Sequence, residues 1–163
     1  MMMIKKSVQA AINDQIQIEQ SSSYLYLAMS AYCESENLKG FAHWLRLQAE
    51  EETSHAMKFY QHLLDRGGIV ELKQIDAPGL KFGSMQELFE KVLAHEIMVT
   101  EKINKLYELA IKEKDYPLQV LLHWFIEEQV EEEANAGEIV EQLRMIGDKS
   151  SSVFYIDKKM AKR

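Results

Sequence analysis

Long runs of sequence without a chain breaker set the architecture. The 7 glycines and 2 prolines fall mostly between segments whose apolar residues recur at three- and four-residue intervals, the spacing of one helical face. The first segment runs from about Ser7 to Glu34 along the stripe Ile12, Ile16, Glu19, Ser23, Tyr26, Met29 and Cys33. Asn37 is placed to cap a second, from Leu38 to Arg66, which carries Phe41, Leu45, Gln48, Glu52, His55, Phe59 and Leu63 and stops at Gly67-Gly68. Ser84-Met85-Gln86-Glu87 reads as a capping box opening a third, whose inward face is Phe89, Val92, Glu96, Val99, Ile103 and Leu106. Pro117 suits the first turn of a fourth, which carries Leu122, Phe125, Gln129, Glu132, Ala136, Ile139 and Leu143 and ends at Gly147. The expectation is an all-α chain, one domain over residues 1–163, with the short apolar tail Val153-Phe154-Tyr155-Ile156 after the serine run Ser150–Ser152.

Loop length then restricts topology. The connections after the first and third helices are a few residues long, so those neighbours are antiparallel. Residues Gly67–Gly83, including Pro78-Gly79, can reach about 56 Å when extended, against about 42 Å for each helix. One long crossover can therefore leave helices two and three parallel, giving a four-helix bundle with a single crossover connection.

Charge narrows the partners. With 19 Lys and Arg against 26 Asp and Glu, the net charge is −7, which disfavours nucleic acid and favours cations. The single cysteine, Cys33, excludes a disulfide framework or a Cys-x-x-Cys metal module and reads as a small buried residue. Met1–Ile4 followed by Lys5 and Lys6 gives neither a secretion signal nor a membrane span, so a cytoplasmic location is expected.

The chemistry lies where polar residues break the apolar stripes. Glu19, Glu52, His55, Glu96, Gln129 and Glu132 do so near mid-length, one or two per helix. Burying several carboxylates together costs several kcal/mol each unless a cation balances them. Glu52-Thr53-Ser54-His55 sets a carboxylate and an imidazole three residues apart on one helical face, so the carboxylate can bridge two ions while the imidazole terminates one. Mostly oxygen donors with one nitrogen suit iron, with manganese and zinc also compatible. Tyr26, one helical repeat from Glu19, can hydrogen-bond a ligand or supply an electron. His43, His62, His95 and His123 read as surface or satisfied histidines, and adjacent His95 and Glu96 point about 100° apart.

Glu19 with Tyr26, Glu51-Glu52-Thr53-Ser54-His55, His95-Glu96, Glu128-Gln129-Val130-Glu131-Glu132, Asp115-Tyr116-Pro117 and Phe154-Tyr155-Ile156-Asp157 together resemble the bacterial non-haem ferritins over nearly the whole chain. The resemblance implies a ferritin-like four-helix bundle with a short fifth helix around Val153–Lys159. It implies a first iron site from Glu19, Glu52 and His55, and a second from Glu52, Glu96 and Gln129, with Glu52 bridging. A third comes from Glu51, Glu128, Glu131 and Glu132. The implied activity is ferroxidase: Fe(II) oxidised by O2 or H2O2 and stored as hydrated ferric oxide within a homo-oligomeric shell of two dozen subunits.

Departures from neighbouring families sharpen that expectation. Thr53 stands where bacterioferritins place a haem-binding methionine, and the second Glu-x-x-His is replaced by Gln129-x-x-Glu132, so no haem is expected. The basic tail Lys158-Lys159-Met160-Ala161-Lys162-Arg163 raises the DNA-protecting mini-ferritins, but the Glu-x-x-His within one helix argues against them and the tail reads as a soluble end. Gln119 and Leu122 occupy the places where animal ferritins line an iron channel with acids, so that route does not transfer.

Overall fold

The three sharp turns between long helices are made by residues in the left-handed region. Asn37 (φ 60°), Gly67 (φ 68°) and Lys114 (φ 55°) each follow a helix's last turn. Around each, the next amide reaches back five residues: Leu38 N to Cys33 O at 2.9 Å, Gly68 N to Leu63 O at 2.9 Å, and Asp115 N to Ala110 O at 2.8 Å. This is the Schellman closure, which satisfies the orphan carbonyls of a helix end. Asn37 therefore ends the first helix; the expectation that it starts the second is corrected, because its left-handed backbone turns the chain instead.

The structure, a computed structural model, describes residues 4–147 and 150–163; residues 1–3, part of the stretch read above as lacking a secretion signal, lie outside them. The described residues form five helices: α1 Lys6–Ser35, α2 Lys39–Asp65, α3 Met85–Lys112, α4 Tyr116–Ile146 and α5 Ser150–Met160. The capping box at Ser84 and Glu87 is formed in full, and Asp115 caps α4 by accepting from Leu118 N, with Pro117 in the first turn. No side chain of its own neighbourhood caps α2. Asp157 of α5 does so, its Oδ1 accepting from Phe41 N at 3.0 Å.

Contacts along α1 trace the crossover. Gln9 and Asn13 bond Ile69, Asn13 also bonds Glu71, Gln17 bonds Gln74, and Tyr32 bonds Gly83. Residue numbers rise together on both segments, so the connection climbs the whole of α1 and delivers α3 to the end where α2 began. Helices α2 and α3 are thus parallel, and the molecule is the four-helix bundle with one crossover. α5 packs across α2 and α4.

The apolar interior is split in two. One cluster gathers Met29, Phe41, Trp44, Leu45, Phe89 and Val140; the other gathers Ile12, Ile16, Phe59, Ile103, Leu118 and Phe125. Between them, at mid-bundle, lies a buried polar layer.

Candidate metal centre

That layer consists of Glu19, Gln48, Glu52, His55, Glu96, Gln129 and Glu132, all buried; Glu19 is 1% and Glu52 2% exposed. Each of α1 to α4 supplies its members from the middle turns, where the bundle is deepest. Helical spacing explains their convergence. Glu52 and His55 share a face at i and i+3, and His55 Nδ1 lies 3.5 Å from Glu52 Oε2. Glu19 enters from α1, its Oε2 4.0 Å from the same nitrogen. One donor atom from each of these three residues lies within 4.8 Å of the others, the spacing a single cation can span. Glu19 Oε2 and Glu52 Oε2 have no hydrogen-bond partner.

Glu96 faces this cluster from α3. Tyr26 Oη donates to Glu96 Oε1, and Gln129 Nε2 donates to Glu96 Oε2 at 3.2 Å. Gln129 also reaches the Glu96 carbonyl at 3.2 Å and Thr100 Oγ1 at 3.3 Å. A cavity of about 320 Å³ between α3 and α4, lined by Thr100, Asn104, Gln129 and Glu133 among others, borders this side of the cluster.

Electrostatics register the strain of an anionic interior. Burial, followed by the charge of Glu52, holds Glu19 well above the usual carboxylate range. Glu52 is raised by burial and then by Glu96, and Glu96 by burial despite the bonds from Tyr26 and Gln129 that lower it. Glu132 is pushed up to about 7, first by burial and then by Glu96. Burial and the neighbouring Glu96 also keep the Tyr26 phenol protonated. Without a cation, protons must neutralise part of this layer.

The residues expected at a third site are less gathered. Glu128 Oε1 lies 4.0 Å from His55 Nε2, the ring nitrogen facing away from Glu19 and Glu52. Glu132 is buried and accepts from Gln48 Nε2 at 2.5 Å. Glu51 Oε2 pairs with Arg163 at 2.7 Å, and Glu131 is exposed. His95 is satisfied by Ser22 Oγ at 2.7 Å and sits edge-on to Tyr26, while burial depresses its pKa to about 4. Trp124 packs edge-on against His55 with ring centroids 5.4 Å apart.

Three supporting residues went unassigned in the sequence reading. Gln15 donates to Glu19 Oε1 at 2.7 Å, and Gln48 supports Glu132. Both lie four residues before a buried glutamate and interrupt an apolar face, a signal the sequence does carry. Arg163, read as part of a soluble end, instead folds back onto α2; the correction follows from its fork pairing with Gln48 and Glu51 over the Trp44 ring.

Residues 9–146 match the ferritin-like domain family, and the chain belongs to it. It is 42% identical over 161 residues to the bacterial non-heme ferritin of Bacteroides fragilis, covering 99% of this chain and 100% of that one. The Staphylococcus aureus bacterial non-heme ferritin is 38% identical over 161 residues, covering 99% of this chain and 97% of that one. Among solved structures, the open-pore ferritin of the hyperthermophilic archaeon Archaeoglobus fulgidus superposes with a TM-score of 0.97 at 42% identity, covering 98% of both chains.

Proposed function

We propose that this chain is the subunit of an iron-storage ferritin and oxidises Fe(II) at a centre within its own bundle. The observation that carries this reading is the pair of unpartnered buried oxygens, Glu19 Oε2 and Glu52 Oε2, around His55 Nδ1. A divalent ion there converts a costly set of like charges into a coordination shell. Glu52 extends toward a second ion that Glu96 and Gln129 hold. Each Fe(II) gives up one electron; O2 takes two with two protons to become H2O2, or H2O2 takes two with two protons to become two waters. Anionic ligands stabilise Fe(III) over Fe(II), which favours the oxidation. Tyr26, hydrogen-bonded to Glu96, is placed to pass an electron or hold the ligand's orientation.

Gln129 brings a neutral amide where symmetric di-iron bundles use a carboxylate. A weaker ligand lets the ferric product leave, as storage requires. Glu51, Glu128, Glu131 and Glu132 form a third iron position on the way to the mineral. The single ferritin-like domain assembles with copies of itself into a hollow shell of 24 subunits in the cytoplasm. No described helix is long and apolar enough to cross a membrane.

Aerobic Fe(II) oxidation followed by absorbance tests the centre. Glu52→Ala is expected to slow the initial rate by about 100-fold or more, and Glu131→Ala to leave the first two equivalents nearly unchanged. Wild-type rates in Glu52→Ala would refute the assignment.

A further inference from the structure

The side chain of Arg163 reaches the acidic edge of the metal centre from outside the bundle. Its Nη2 donates to Glu51 Oε2 at 2.7 Å and its Nη1 to Gln48 Oε1 at 2.8 Å. Gln48 in turn donates to the buried Glu132 Oε2. The guanidinium carbon lies 4.8 Å from the centroid of the Trp44 ring, and the Arg163 carbonyl oxygen is 3.3 Å from His43 Nε2. One planar cation thus contacts an acid directly, a second acid through one amide, and an aromatic face.

We infer that Arg163 is a displaceable internal cation: it occupies the place beside Glu51 in the metal-free subunit, and a third divalent ion must push it aside to bind. This rests on the reading of Glu51 and Glu132 as third-site ligands. The lone pair of Glu51 Oε2 that accepts from Nη2 is withheld from a metal, and two cations side by side repel. The pairing is open to water, with the side chains of Arg163 and Glu51 28% and 44% exposed, so the guanidinium can swing out without unfolding anything. Bound, Arg163 also fixes the Gln48 amide so that its NH2 faces Glu132. Released, it frees Gln48 to turn. The device keeps the third position weak while the inner pair fills, which orders loading from the inside outward.

Anaerobic Fe(II) titration by calorimetry tests this with the wild-type protein, Arg163→Gln and Arg163→Lys, with Glu51→Gln as control. Arg163→Gln is expected to tighten only the third ion, by about tenfold, the combined scale of one exposed ion pair and one cation–π contact. Arg163→Lys retains the charge without the fork and falls between. The second readout uses a Trp124→Phe background, in which Trp44 is the only indole. Zn(II), with a filled d shell, shifts Trp44 emission as the third equivalent lifts the guanidinium off the ring, and Arg163→Gln abolishes that shift. Equal third-ion affinity in wild type and Arg163→Gln, with Trp44 emission unmoved, would overturn the displacement while leaving three sites standing. Saturation at two ions in both proteins would instead remove the third site, and the displacement with it.

Discussion

His55 Nδ1 stands 3.5 Å from a Glu52 oxygen that no hydrogen bond satisfies. Glu19 presents a second such oxygen 4.0 Å from the same nitrogen, so the three groups converge on a point that a cation can satisfy. Stability and metal binding are consequently opposed. Glu52→Gln keeps the shape of the side chain but removes one of two adjoining buried charges. The apo variant is expected to be more stable than wild type at pH 7.5, by about 1–3 kcal/mol, while losing most of the stabilisation that added Fe(II) or Zn(II) gives wild type. Thermal melts of both proteins with and without metal measure both changes. A destabilised apo variant would mean that the layer is held together by Glu52's own contacts.

The same opposition has a pH signature. Glu132 has a folded-state pKa of about 7 against 4.5 for the free side chain. A raised carboxyl binds its proton more tightly in the folded state, so its contribution is full below pH 4.5 and is lost as pH rises toward 7. Apo stability is expected to fall across that window, with Glu132 accounting for about 3 kcal/mol. Glu19, Glu52 and Glu96 are shifted in the same direction and extend the decline. Glu132→Gln should flatten part of the slope while matching wild type near pH 4.5, where both side chains are neutral. Chemical denaturation at several pH values between 4.5 and 8 reads it out; an unchanged slope would place the shift elsewhere.

What the sequence discloses follows from how local each cause is. The polar layer is legible because Glu19, Glu52, Glu96, Gln129 and Glu132 interrupt stripes whose period the sequence displays. The crossover is legible because seventeen or so residues cannot be a tight turn. The start of α2 is not legible, for the opposite reason. Asn37 has the composition of a cap, yet the cap is Asp157, which lies 116 positions from Phe41, whose amide it accepts, and is brought there only by tertiary packing. Arg163 escaped for the same reason, since nothing near it in sequence announces Trp44 or Glu51. Side chains whose partners lie within one helix can be read from periodicity; partners that the fold alone brings together cannot.

If Gln129 holds the second ion as proposed, its neutral amide sets how long that ion stays. Its amide donates to Glu96 in the metal-free layer, and on binding an ion it must present its carbonyl oxygen instead. Gln129→Glu replaces that neutral donor with an anion. The variant is expected to retain iron after oxidation and slow turnover beyond the first two equivalents, with initial oxidation nearly unchanged. Repeated aerobic additions of two Fe(II) per subunit, each followed to completion, separate the two phases. Equal iron occupancy and equal regeneration in both proteins would show that ligand charge does not control release.

The position of α5 depends on a glycine in the first turn of α2. A β-carbon on Gly40 would lie 1.7 Å from the Asp157 carbonyl oxygen, a backbone atom that cannot step aside alone. The same segment supplies the Asp157 carboxylate that accepts from Phe41 N, so α2 loses its cap if α5 moves. Gly40→Ala would otherwise be mildly favourable in a helix, by up to about 1 kcal/mol. Here it is expected to destabilise the subunit and expose α5 to protease. Asp157→Ala removes the cap alone, at about 1 kcal/mol, and should leave α5 seated through Val153, Ile156 and Met160, which pack on the adjoining apolar cluster. Limited proteolysis read by mass spectrometry distinguishes the two: cleavage within α5 of Gly40→Ala but not of Asp157→Ala follows from a steric cause. Equal resistance in both would mean that α2 and α5 can separate by the missing space without loss of packing.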